Sequence, residues 1–142
     1  MDEPFISKIR CWEKKGIRSG IGFAVELRLD GNFFNGICQT ESEATGTIDS
    51  IKQSGTIDLK KPYREFRIPK EIVLDLVGQL ANHSLPVVPP ISGGFDGHHV
   101  HLEISSGESS SHFSWFVIPP KEWTPLHVFW NAIVGLAPNR RK

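Results

Sequence analysis

The sequence has no excess of charge of either sign and no long apolar run. Lysine plus arginine number 16 and aspartate plus glutamate number 16 among 142 residues, so the formal net charge is zero. Because nucleic-acid binding rests on neutralising phosphates with basic side chains, this balance argues against a nucleic-acid partner. No apolar run approaches the roughly 18 residues of a membrane-spanning helix, so no membrane segment is predicted.

Cysteine is scarce, and secretion signals and common catalytic motifs are missing. Cys11 and Cys38 form no CxxC pair and have no histidine at zinc-finger spacing. The start, MDEPFISKIR, is acidic and lacks the apolar stretch of a secretory signal, which predicts a cytoplasmic protein with reduced, mostly buried thiols. P-loop, GxGxxG and GxSxG sequences are absent, so nothing identifies a nucleotide-binding site or a serine nucleophile.

The length and composition are those of one globular domain, residues 1–142. Residues 23–29 alternate strictly between apolar and polar side chains, which predicts a strand with one solvated face. Asp30-Gly31 follows directly and predicts a hairpin. Residues 45–53 and 54–62 repeat the pattern [TS]-G-T-I-D-x-[IL]-K. Two copies are too few for a calcium-binding solenoid, so we expect two adjacent strands of a meander.

Two segments have helical periodicity, near 69–81 and near 124–135. The first has one apolar stripe, made of Ile72, Val73, Leu76, Val77 and Leu80. The second is apolar on most sides, which favours burial on the sheet together with a further contact, including self-association as a homodimer. The sequence therefore predicts an α+β fold. It has a mostly antiparallel sheet of about seven or eight strands, which can be curled or barrel-like, and two helices.

Residues 98–105 and 111–118 predict a second hairpin about Gly107-Glu108. In that register Glu103 lies opposite His112, and Ser114 lies opposite His101. One outer face of the hairpin then carries His99, His101, Glu103 and His112.

This histidine cluster is the strongest chemical signal in the sequence. Histidines at i and i+2 on a strand project to one side, so His99 and His101 can reach one metal ion. His112 and Glu103 would complete a set of ligands suited to zinc or iron. The ordinary interpretation is that these are solvated side chains on an exposed face. Three apolar residues near the last helix, Trp123, Phe129 and Trp130, are candidates for an interaction surface.

Three functions remain open on this basis. The leading expectation is a non-enzymatic cytosolic protein that binds another protein, for example one of inhibitor or immunity type. The alternatives are a metal-binding protein or small metal-dependent enzyme that uses the histidine cluster, and a small-ligand carrier built on a barrel-like sheet.

Overall fold

The computed structural model describes residues 6–14, 21–40, 56–86, 99–116 and 119–138. The strands are β1 (Lys8–Lys14), β2 (Ile21–Asp30), β3 (Phe33–Thr40), β4 (Arg64–Pro69), β5 (His99–Ser106) and β6 (Ser109–Phe116). The helices are α1 (Lys70–Ala81) and α2 (Thr124–Val134), and one 3-10 turn, Lys121–Trp123, leads into α2. No helix within these ranges is both long enough and apolar enough to cross a membrane.

The strands form one antiparallel sheet in the order β4-β3-β2-β1-β5-β6, which confirms the predicted α+β class. The described residues contain six strands, fewer than the expected seven or eight, and the sheet is open rather than closed into a barrel. A barrel would need β4 and β6 to pair, but among the described strands β4 pairs only with β3, and β6 only with β5. β1 is central, because it pairs with β2 on one side and with β5 on the other.

The expected strand over residues 54–62 is wrong for its described part, residues 56–62, which is a loop across the open face of the sheet. Ile57 is buried there against Trp12 and Ala24. The amide of the buried Gln39 donates to the carbonyls of Asp58 and Pro62 and accepts from the Asp58 N–H, at 2.9–3.0 Å. These bonds give backbone N–H and C=O groups of the loop the hydrogen-bond partners that a neighbouring strand would otherwise supply. The first repeat copy, 45–53, lies outside the described residues.

The main core lies between the other face of the sheet and the two helices. Its fully buried members come from every layer and include Ile9, Leu27, Phe34, Val73, Leu102, Leu126 and Ile133. Both cysteines are buried in the same core as thiols, and burial raises the pKa of the Cys11 thiol well above its usual range.

The bounds of both helices agree with those predicted from the sequence to within one residue. Individual residues in and beside the helices differ from expectation. Pro69 precedes α1 as its N-cap, and Ile72, expected in the apolar stripe, is 46% exposed. Thr124 is the first residue of α2 and does not cap it. Its hydroxyl donates to the Lys121 carbonyl, and Trp123 occupies the N-cap.

Candidate functional site

The candidate site lies on the open face of the β5–β6 hairpin. Gly107 has a φ of 66°, a conformation that glycine adopts without strain, and the two strands meet at a two-residue turn. Glu103 pairs with His112 and His101 pairs with Ser114, as the sequence predicted. The alternating pattern places Val100 and Leu102 in the core and leaves the polar set on the opposite face.

His101 and His112 are in direct contact across the two strands. His101 Nδ1 lies 3.2 Å from His112 Nε2, and the ring centroids are 5.4 Å apart. Two imidazole nitrogens at this distance form a hydrogen bond when one carries a proton and the other does not. With both nitrogens unprotonated, each carries a lone pair that can bind a metal ion.

β1 supplies a wall for this pair. Trp12 lies beside His101 in the register, and their rings stack in parallel with centroids 4.9 Å apart and an interplanar angle of 1°. The Arg10 guanidinium carbon lies 4.7 Å from the Trp12 ring centroid, within the range of a cation–π contact. Trp12 is 3% exposed, and among the described residues its indole N–H has no hydrogen-bond partner. The stack holds the His101 ring in one orientation.

The other two predicted ligands are placed differently. Glu103 accepts a 2.7 Å hydrogen bond from Arg10 Nη1 in a partly buried ion pair. The ring centroid of His99 lies 6.1 Å from that of His101, with the rings tilted by 39°. Within the described ranges, no three histidine, cysteine, aspartate or glutamate side chains form a group that could hold a metal ion. The direct pair is therefore His101 with His112, and the four-residue set stays a prediction.

The backbone of the site is held from the core side. Trp130 Nε1, in α2, donates to the His101 carbonyl at 2.8 Å. A helix in the core thus fixes the strand position from which the His101 imidazole projects. Sequence reasoning missed Trp12, Arg10 and this bond. The period-2 pattern of residues 98–105 shows which face a residue occupies, but not that β1 is the neighbouring strand.

The predicted interaction residues are buried. Trp123, Phe129 and Trp130 all belong to the main core, and Trp123 packs edge-on against Trp115. Their role in an interaction stays a prediction, because this arrangement uses them for packing. The exposed apolar residue of α2 is Val128, at 61%.

His127, in the first part of α2, has a structural role. Its Nδ1 accepts a 2.9 Å hydrogen bond from Trp115 Nε1, and its ring stacks near that of Trp130. Burial lowers the pKa of His127 below its usual value, because desolvation disfavours the charged imidazolium. The neutral form is therefore favoured, and His127 Nδ1 is a hydrogen-bond acceptor.

A groove of about 280 Å³ runs between α1 and α2. Residues on one face of each helix line it: Leu76, Gln79, Leu80 and His83 from α1 and its end, and Thr124, Pro125, Val128, Phe129 and Ala132 from α2. Its walls are mainly apolar, and Gln79 is engaged with Asp75. The groove lies on the helix side of the molecule, and the histidine pair lies on the other face of the sheet.

Comparisons with protein-family models, with curated proteins and with solved structures find no match to this chain. The case for a function therefore rests on the geometry of the histidine pair and the groove.

Proposed function

We propose that this protein binds a divalent transition-metal ion through His101 and His112. The observation that carries the proposal is the 3.2 Å separation of His101 Nδ1 and His112 Nε2. A tetrahedral zinc ion holds imidazole nitrogens at about 2.0–2.1 Å, which places two ligand nitrogens about 3.3–3.4 Å apart. The two nitrogens therefore already have nearly the spacing of zinc ligands, and a small outward movement would admit the ion.

Two further features support this assignment. The ligands project from paired strands, and the Trp12 stack and the Trp130 bond to the His101 carbonyl restrain one of them. A restrained ligand loses little side-chain freedom on binding, which favours affinity. Imidazole also suits zinc, copper, nickel and iron rather than magnesium or calcium, so the expected metals are of the first group.

Titration calorimetry of untagged protein with zinc chloride tests the proposal. We expect saturable binding that His112→Ala abolishes or weakens at least about tenfold, because one of two protein ligands is lost. His112 is exposed, so the variant should fold, and circular dichroism checks this. His83→Ala is the matched control, since it removes an exposed histidine outside the hairpin. Equal zinc binding by the wild type and His112→Ala would contradict the proposal.

A second candidate function, the binding of another protein, is favoured by the groove between α1 and α2. Its lining residues recur at spacings of three and four along both helices, and one of them, Val128, is exposed. Two such ridges form the kind of surface onto which a third helix packs, so the occupant proposed here is an amphipathic helix of a partner.

A library of amphipathic helical peptides, selected for binding to the purified protein, tests this second candidate. We expect selected peptides to lose binding to Val128→Glu, which places a charge in the apolar contact. Ser110→Glu, on the opposite side of the molecule, is the control and should leave binding unchanged. Peptides that bind Val128→Glu as well as the wild type would rule out the groove.

A further inference from the structure

We infer that two copies of this chain pair through their β6 strands, so that the two sheets join into one continuous antiparallel sheet. The partner is a second copy of the same chain. The contact uses the backbone of β6 and does not depend on metal binding at the histidine pair.

The outer edge of β6 is accessible to another molecule. β6 is the last strand in the sheet order, and among the described strands it pairs only with β5. Its exposed residues are Ser109, Ser110, Ser111, His112 and Ser114. An edge strand presents N–H and C=O groups that can bond to a further strand. This exposure leaves room for a strand of a second molecule beside β6.

The turn of the hairpin determines which backbone groups of β6 point away from β5. The two-residue turn is closed by a hydrogen-bonded pair, Ser106 with Ser109. Bonded and non-bonded pairs alternate along an antiparallel ladder, so the backbone groups of Ser110, His112 and Ser114 point outward. These groups can form a new ladder without breaking any bond to β5.

The composition of the two sheet edges favours pairing at β6 rather than at β4. Edges are commonly protected from pairing by charged residues or proline. β4 contains Arg64, Glu65, Arg67 and Pro69. β6 reads SSSHFSWF and has neither a lysine, an arginine, an acidic residue nor a proline. The chain has no net charge, so two copies are not kept apart by overall repulsion.

A two-fold axis normal to the sheet at Phe113 matches the two strands over residues 110–116. Each Ser114 then lies opposite His112 of the second copy, and each Ser110 lies opposite position 116, so the outward backbone groups of this range face one another. An axis at His112 would instead set position 116 opposite the turn residue Glu108 and lose those bonds. The axis at Phe113 therefore gives the longer ladder.

The side chains of β6 fit a second copy in this register. Phe113 is half-buried on the helix side of the sheet, where it packs edge-on against Trp123. Pairing places the two Phe113 rings beside each other across the axis, with Cβ atoms about 4.5–5.5 Å apart, and such aromatic pairs stabilise a sheet. On the open face each His112 lies opposite a serine, so the two imidazoles do not directly oppose each other.

Analytical ultracentrifugation of untagged protein, in buffer with a chelator, tests the pairing. We expect a dimer fraction that rises with protein concentration. Ser114→Pro should raise the dimer dissociation constant at least about tenfold, because each copy loses an outward N–H. Ser114→Lys keeps the backbone and should also weaken the dimer, because it places a charge on the edge. Ser106→Lys, at an exposed serine of β5, is the matched control and should dimerise as the wild type does. Circular dichroism checks that each variant folds.

A cysteine introduced on β6 tests the register. Cys11 and Cys38 are buried thiols, so the new cysteine is the accessible one. Phe113→Cys sets two thiols opposite each other at the axis, within the distance that a disulfide spans. Oxidised glutathione should therefore cross-link Phe113→Cys into a dimer on non-reducing electrophoresis. Ser110→Cys, which lies far from its own copy in this register, should stay largely monomeric.

The contrary outcomes are distinct. A monomer at every concentration would overturn the inference, including the case in which β6 accepts a strand of a different protein. A dimer that neither Ser114→Pro nor Ser114→Lys weakens would overturn pairing through β6. Cross-linking of Ser110→Cys but not of Phe113→Cys would overturn the axis at Phe113. All are measured with metal ions removed, so the proposed metal binding is tested separately.

Discussion

The two faces of the sheet are built from the same strands but are used differently. On the helix side, alternate residues such as Leu27 and Leu102 join one continuous apolar core. On the open side, a small cluster around Trp12 adjoins ion pairs and the histidine pair. Along each strand, residues that stabilise the fold through the core therefore alternate with residues on the face that carries the candidate site. Neighbouring residues should therefore respond very differently to substitution.

The largest expected effect is on the covered face. Leu102→Ala should lower the free energy of unfolding by about 2–5 kcal/mol, because it removes a fully buried side chain and leaves a cavity. Urea denaturation followed by circular dichroism measures this loss. The contrast between the faces fails if Leu102→Ala destabilises no more than His112→Ala does.

An intermediate effect is expected for Gln39, on the open face. Gln39→Leu should lower the free energy of unfolding by about 1–3 kcal/mol, because the Asp58 and Pro62 carbonyls and the Asp58 N–H lose their partners. Limited proteolysis should also cut the loop 56–62 faster in this variant. Wild-type stability and protection would mean that the loop is held by Ile57 alone.

A smaller effect should depend on pH, at His127. Its folded pKa is lowered, so the stability contributed by the neutral ring is complete above the unfolded-state pKa of about 6.5. It is lost as the pH falls from there toward the lower folded pKa, because the unfolded chain binds the proton more readily. Tm measured from pH 8 to pH 5 should fall less for His127→Asn than for the wild type. Parallel Tm curves would contradict this assignment.

The smallest effect on stability is expected at His112. His112→Ala should change the free energy of unfolding by less than about 0.5 kcal/mol, because the side chain is exposed. The same denaturation experiment measures it beside Leu102→Ala. A loss above about 2 kcal/mol would show that the histidine pair contributes to the fold rather than to a binding site.

Local features of the fold could be predicted from the sequence, and distant pairings could not. Alternation and turn residues gave the β5–β6 hairpin its register, and they placed His101 and His112 on one outer face. They could not show that β1 lies beside β5, because Arg10 and Glu103 are 93 positions apart. The contact between Trp12 and His101 could therefore not be predicted from the sequence and was found only in the structure. The repeat at 54–62 misled for a related reason, since the buried Gln39 that holds this loop belongs to another part of the chain.

The central place of β1 has a consequence for how the chain folds. β2 and β3 follow β1 closely in sequence, and these three strands can assemble by local hairpin pairing. The second neighbour of β1 arrives about 90 residues later, as the Ser7 bond to the Ser105 carbonyl illustrates. Until β5 arrives, the edge of β1 that pairs with it has no neighbouring strand. Closing the long loop between β1 and β5 is slow. Insertion of the β5–β6 hairpin beside β1 should therefore be the late step that completes the sheet during refolding.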